Sequence, residues 1–223
     1  MNIYSGRYWF PVLFILAGVC SADPPEKTEY TDADIEKLVA QLVSPNQAPE
    51  IQGTSARYGP NFDRMAQKLV YESWKTLRQL APRSFPFVFD SLGDKRYSLT
   101  EDSGDLEKNY TVGFLSRDIL VSSLQPDVWG HKEFGTSYRR RPHQPDYVSH
   151  YKLLAPKSSK EWWKTRKDRS LRELQIEVLE WILVEERRAP EKYSDGDRNK
   201  IEKEHDDLKA SSVPRKLGFP FSR

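Results

Sequence analysis

Apolar residues return at helical spacing in successive stretches of the chain. Ile35, Leu38, Val39 and Leu42 fall at i, i+3, i+4 and i+7 behind Thr31-Asp-Ala-Asp34, where Thr31 can accept from the first turn. Asn61 is placed to cap a second helix, in which Phe62, Met65, Ala66, Leu69, Trp74, Leu77 and Leu80 keep near-helical spacing as far as Ala81, and Pro82 stops the run. Ser84 and Pro86 open a third segment with Phe85, Val88, Phe89 and Leu92 on one stripe. Thr111 caps a helix that turns Val112, Leu115, Ile119 and Leu124 inward, and Ser159 opens a short one that carries Trp162 and Trp163. Ser170-Leu-Arg-Glu173 is a capping box ahead of Leu171, Leu174, Val178, Trp181, Ile182 and Glu185. A last segment, from Ser194-Asp-Gly-Asp197 through Ile201, His205 and Leu208, is polar enough to lie on the surface.

Between these stretches the pattern breaks. Ser44 to Pro60 holds three prolines and two glycines and reads as a linker, and residues 100–108 read as an acidic loop. Residues 125–157 contain four prolines and three histidines with scarcely any periodic apolar position, which predicts a long irregular insertion. Val213 to Arg223 reads as a tail. The pattern therefore predicts an all-α chain, with an N-terminal helix and linker over residues 23–60, a helical domain over 61–211 and a C-terminal tail over 212–223.

The run Leu77-Arg-Gln-Leu80-Ala-Pro82-Arg-Ser-Phe85-Pro86-Phe-Val88-Phe-Asp-Ser-Leu92-Gly-Asp94 resembles the helix-turn-helix of a HEAT repeat, over residues 60–94. That resemblance implies stacked antiparallel helical hairpins, whose concave face is the usual binding surface. Asp94-Lys-Arg-Tyr-Ser98, Tyr110-Thr-Val-Gly113 and Ser170-Leu-Arg-Glu-Leu-Gln175 also resemble uncharacterised exported bacterial proteins of planctomycete type, a resemblance that transfers no activity.

The first 22 residues read as a cleavable signal peptide. Arg7 supplies the positive start, Tyr8 to Val19 form an apolar stretch too short to span a bilayer, and Cys20-Ser21-Ala22 puts small residues before the cleavage point. A lipid-bearing Cys20 is the competing reading, against which Val19 and Ala17 stand in the positions such sites select. Retention of the segment as an N-terminal anchor is the other. Cleavage after Ala22 predicts a periplasmic or secreted protein without a membrane span.

Export changes what the composition means. Without residues 1–22 the chain keeps 34 of its 35 Lys and Arg against all 33 Asp and Glu, and loses its single Cys. No disulfide can staple such a domain and no thiolate can act in it, so stability must come from a packed core. Six Trp, eleven Tyr and ten Phe supply much of that core. Near-zero net charge argues against nucleic acid as a partner.

Candidate chemistry concentrates in the irregular insertion. Arg139, Arg140 and Arg141, with Tyr138 and His143 beside them and Tyr147, His150 and Tyr151 beyond, could hold an anion on guanidinium forks. The structural alternative is a solvated loop whose arginines neutralise nearby acids. His131, His143, His150 and Glu133 lack the i, i+4 spacing of a helical zinc site, and Glu101, Asp102 and Asp105 lack the ligand order of a calcium loop, so no metal and no cofactor is predicted. Trp162-Trp163 reads as core rather than a sugar platform. Asn109-Tyr-Thr111 is a glycosylation sequon in a eukaryotic host and a helix cap in a bacterial one. No nucleophile elbow or phosphate-cradling loop is present. The sequence thus predicts a non-catalytic scaffold or interaction protein whose partner is another exported protein or a cell-envelope component. Its alternative is a binding protein or hydrolase for an acidic polysaccharide that uses the Arg-rich 131–151 loop.

Overall fold

The computed structural model describes residues 29–102, 107–126, 146–190 and 195–215. The N-terminal helix α1 (Asp32–Ala40) starts as its sequence dictates, with the Thr31 hydroxyl accepting from Asp34 N and the Asp34 carboxylate accepting from Thr31 N. Helix α2 (Arg64–Gln79) is capped by Asp63 rather than by Asn61, whose side chain is two residues too early to reach the first-turn amides that Asp63 Oδ1 meets at Met65 and Ala66. Its buried face is Val70, Ser73, Trp74, Leu77 and Arg78. Met65 and Leu69, predicted to point inward, are 73% and 52% exposed.

Ser44 to Pro60 is not a bare linker. It folds as a hairpin of β1 (Glu50–Gln52) and β2 (Ser55–Arg57), with Gly53 at φ 63° in the turn. The predicted acidic loop is likewise a hairpin, of β3 (Tyr97–Asp102) and β4 (Glu107–Thr111). Its ladder pairs Glu101 with Lys108 and Thr100 with Asn109, so charge and hydroxyl partners supply what an apolar alternation would have announced. Ser44 N donates to Tyr97 O, and Gln67 Nε2 donates to Ser98 O, which lays β3 across the ends of α1 and α2.

These two antiparallel sheets overturn the all-α expectation: 58% of the described residues are helical and 10% are in strands. The return helix expected of the hairpin over 60–94 is shorter than its apolar stripe suggests. Beyond Pro82 the chain makes only the single turn α3 (Phe85–Val88) and a 3-10 turn (Phe89–Ser91), so α2 has no long return helix. Ser84 does not cap α3; its hydroxyl donates to Leu77 O at 2.7 Å and pulls the turn onto α2.

Helix α4 (Val112–Leu124), capped by the Thr111 hydroxyl, runs through the middle, with Leu115, Ile119, Leu120 and Leu124 fully buried. It packs on α2, on β3 and β4, and on α7 (Leu171–Arg188), which begins with the predicted capping box of Ser170 and Glu173. The predicted insertion over 125–157 is shorter than it reads. Within it Tyr147–His150 form α5, and α6 (Pro156–Lys164) already starts at Pro156, with the positive φ of Lys152 turning the chain between them. Helix α8 (Asp195–Ala210) is a packed element despite its polarity, because Ile201 and Leu208 bury against α7. The start of the predicted tail is also held: Arg215 pairs with Glu204 and its backbone N donates to Gln175 Oε1.

Gly113 sits where α4 enters beneath the 92–94 turn, and its N–H donates to Asp94 O at 2.9 Å. A Cβ there would lie 2.7 Å from Leu92 O and 2.9 Å from Asp94 O, both backbone atoms that cannot swing aside. Gly113→Ala is therefore expected to cost about 1–3 kcal/mol in urea unfolding, whereas Gly93→Ala, which meets no atom within 4 Å, stays near the parent. Equal stabilities for the two variants would contradict the close approach.

Candidate functional site

Asp146 starts the single turn of α5 by accepting from Ser149 N, and this aims Tyr147 into the interior and leaves His150 at the surface. Buried Tyr147 donates its hydroxyl to Glu177 Oε1 at 2.9 Å and accepts from Trp162 Nε1 at 3.1 Å. The Arg166 guanidinium reaches both oxygens of Glu177, at 3.0 and 3.1 Å from Nε, and Arg169 pairs with Oε2. Arg166 also stands 5.2 Å from the Trp162 ring and 5.7 Å from that of Tyr151. Burial works to lower the Arg166 pKa, but its bonds to Glu177 outweigh this and hold it above its ordinary value. Burial first, and the neighbouring Glu177 next, push the Tyr147 phenol well above the usual tyrosine range.

In front of this knot stands an aromatic wall. The Trp181 ring lies edge-on to Tyr147 at 5.6 Å, and His150 packs 4.8 Å from Trp181 and 5.0 Å from Tyr151. The wall faces a solvent-open cleft of about 410 Å³ between α5 and the C-terminal half of α7, whose floor also carries Glu177, Glu180 and Val184 and whose far end carries Glu185 and Arg188. Glu180 Oε1 meets Lys209 Nζ at 2.8 Å, a bond that holds its carboxyl below the ordinary range, and Glu185 Oε1 pairs with Arg188 at 2.6 Å. The cleft thus combines fixed ring faces with carboxylates and a guanidinium, a set that binds by stacking and by directed hydrogen bonds.

Of the residues that the sequence singles out, Tyr138, Arg139, Arg140, Arg141 and His143 lie outside the described residues, as do His131, Glu133 and the signal segment 1–22. Tyr147, His150 and Tyr151 are described, and they meet at the cleft. Trp162 is 6% exposed and serves the knot, while Trp163 packs edge-on against Phe85 and Phe89. Asn109 spends both ends of its amide, donating to Pro49 O and accepting from Thr100, so its nitrogen is engaged in the fold. Among the described residues no three His, Cys, Asp or Glu side chains come together as metal ligands, and no helix is long and apolar enough to cross a membrane.

Glu177, Glu180 and Arg188 are cleft residues that the sequence did not announce, and Trp181 was read as inward. Their signal was a second stripe on α7: Glu177, Trp181, Val184, Glu185 and Arg188 recur at helical spacing beside the core stripe of Leu171, Leu174 and Val178. Comparison with family models, curated proteins and solved structures finds no match to this chain.

Two outcomes follow from the knot. Glu177→Gln removes the charge that Arg166, 18% exposed, was buried against, and is expected to cost about 1–3 kcal/mol in urea unfolding; an unchanged midpoint would show the knot to be idle. Tyr147 and Tyr110, the latter also raised mainly by burial and then by Glu101, keep their protons in the folded chain at pH values where the unfolded chain loses them. Their stabilisation is complete below about pH 10 and declines as pH rises beyond it, so Tyr147→Phe should flatten the alkaline fall in unfolding free energy.

Proposed function

We propose that this protein is an exported binding protein without catalytic activity, and that it meets a cell-envelope component or another exported protein through the α5–α7 cleft. The observation that carries this reading is the braced wall. Trp181 and His150 keep ring surface in solvent, while Tyr147, Trp162, Arg166 and Glu177 beneath them are locked by hydrogen bonds. Ring surface that is held rigid and left uncovered costs little entropy to dock, and patches of that kind mark interaction sites. The carboxylates support a binding role. Glu177 spends both oxygens on cations and a phenol, and the bond from Lys209 holds the Glu180 carboxyl below its ordinary range, which does not suit Glu180 to donate a proton. An acidic polysaccharide is not favoured here, because Glu180 and Glu185 would face it. Export rests on the apolar stretch and small-residue site before Asp23.

A photoreactive residue in place of Val184, which is 41% exposed in the cleft, tests this in cells of the source organism. Irradiation should give a discrete adduct at that position and none from the same residue at Met65, 73% exposed on α2. Equal labelling at both positions, or none at either, would sink the proposal.

A further inference from the structure

The ligand class can be read from what the cleft balances. Its lining carries carboxylates at Glu177, Glu180 and Glu185, each already answered by a base: Arg166 and Arg169, then Lys209, then Arg188. A cationic ligand finds no unpaired acid in the lining, and the guanidinium there, Arg188, is spent on Glu185, so neither sign of charge is favoured. A wholly apolar ligand is excluded by the converse argument, since it would strip water from Glu180, Glu185 and Arg188 without returning hydrogen bonds. What remains is an uncharged molecule with an apolar face and an edge that both donates and accepts.

We infer that the cleft takes an uncharged oligosaccharide, one sugar face lying on the Trp181 ring and the hydroxyl edge meeting Glu180, Glu185 and Arg188. This rests on the binding role proposed above. A pyranose presents C–H groups of slight positive charge to one side, which suit the negative face of an aromatic ring. Its equatorial hydroxyls donate to carboxylates and accept from a guanidinium, and such charge-assisted bonds are the strong ones. Glu180 and Glu185 make their ion pairs through Oε1, which leaves the second oxygen of each to accept from a ligand. Because the cleft is open rather than enclosed, an internal unit of a chain can lie in it. The volume of about 410 Å³ is within the range of small-molecule sites.

The test is titration of the full chain with maltotetraose, cellotetraose and chitotetraose, beside tetragalacturonate and tetralysine as charged probes, read by tryptophan fluorescence and by the indole N–H resonance of Trp181. At least one neutral tetrasaccharide should bind with an affinity that does not change with added salt, and Trp181→Ala should weaken it by roughly tenfold or more. Trp181 also braces Tyr147, so Val184→Arg provides a second variant that blocks the cleft from its exposed side; it should abolish binding while circular dichroism stays that of the parent. Failure of all three neutral sugars, tighter binding of either charged probe, or binding indifferent to both variants would overturn the inference. If the sugars fail while the photoreactive Val184 position still yields an adduct, the sugar assignment falls alone; if that adduct is missing too, the binding role falls with it.

Discussion

A guanidinium cannot shed its charge, so an arginine carried into the interior dictates what must surround it. Arg78, 1% exposed on the buried face of α2, is such a group. Its plane lies 4.9 Å from the ring of Trp74, one turn earlier on the same helix, and its Nε stands 3.8 Å from Asp118 on α4. Trp74 in turn donates its indole N–H to the same Asp118 oxygen at 3.1 Å. Burial raises the Asp118 pKa, opposed by Arg78 and by the hydrogen bonds of Trp74 and Ser122. Cation, indole and carboxylate therefore have to be placed together, and placing them sets α2 against α4.

From α4 the arrangement passes outward. Gln175 on α7 donates to Ser123 O at 2.9 Å and accepts from Arg215 N, so one buried amide ties α4, α7 and the chain beyond α8. Leu174, Val178 and Ile182 on the inner face of α7 are buried, and that orients the adjacent face, with Glu177 and Trp181, toward α5. The cleft wall is thus the far side of a helix whose near side is fixed by the core. A ligand-contacting ring on such an element is held more tightly than one on a loop.

The capping residues Thr31, Thr111 and Ser170 were legible because a side-chain cap is a local event within four residues of chain. The two hairpins were not. Their strands carry Glu101, Asp102, Glu107 and Lys108, and the three-residue strands β1 and β2 bury no side chain fully, so period-two hydrophobicity is missing where the ladder exists. Counting apolar residues also misplaced the face of α2: Met65 and Leu69 keep the spacing, yet the buried face is chosen by Trp74 and Arg78, and an arginine scores as surface until its partners are known. Of the site, Tyr147, His150 and Tyr151 were singled out as neighbours of the arginine triplet. That they meet Trp181 and Glu177, some thirty residues further on, is a tertiary fact that no spacing could announce.

Three carboxylates among the described residues take a hydrogen bond from a tyrosine, Glu107 from Tyr58, Glu101 from Tyr110 and Glu177 from Tyr147, and the difference between the last two bears on the cleft. Glu101 accepts from Tyr110 within the β3–β4 hairpin, and Tyr110 stacks on Phe114, 42% exposed at the start of α4. Glu177 accepts from Tyr147 and from two arginines as well. A neutral phenol alone satisfies a carboxylate that water can still reach. At Glu177 the charge itself is matched, by Arg166 and Arg169 beneath Trp181. Matching it from behind leaves the wall in front uncharged and rigid, which a surface that recognises a neutral partner requires and a disulfide-free domain must obtain from its hydrogen bonds.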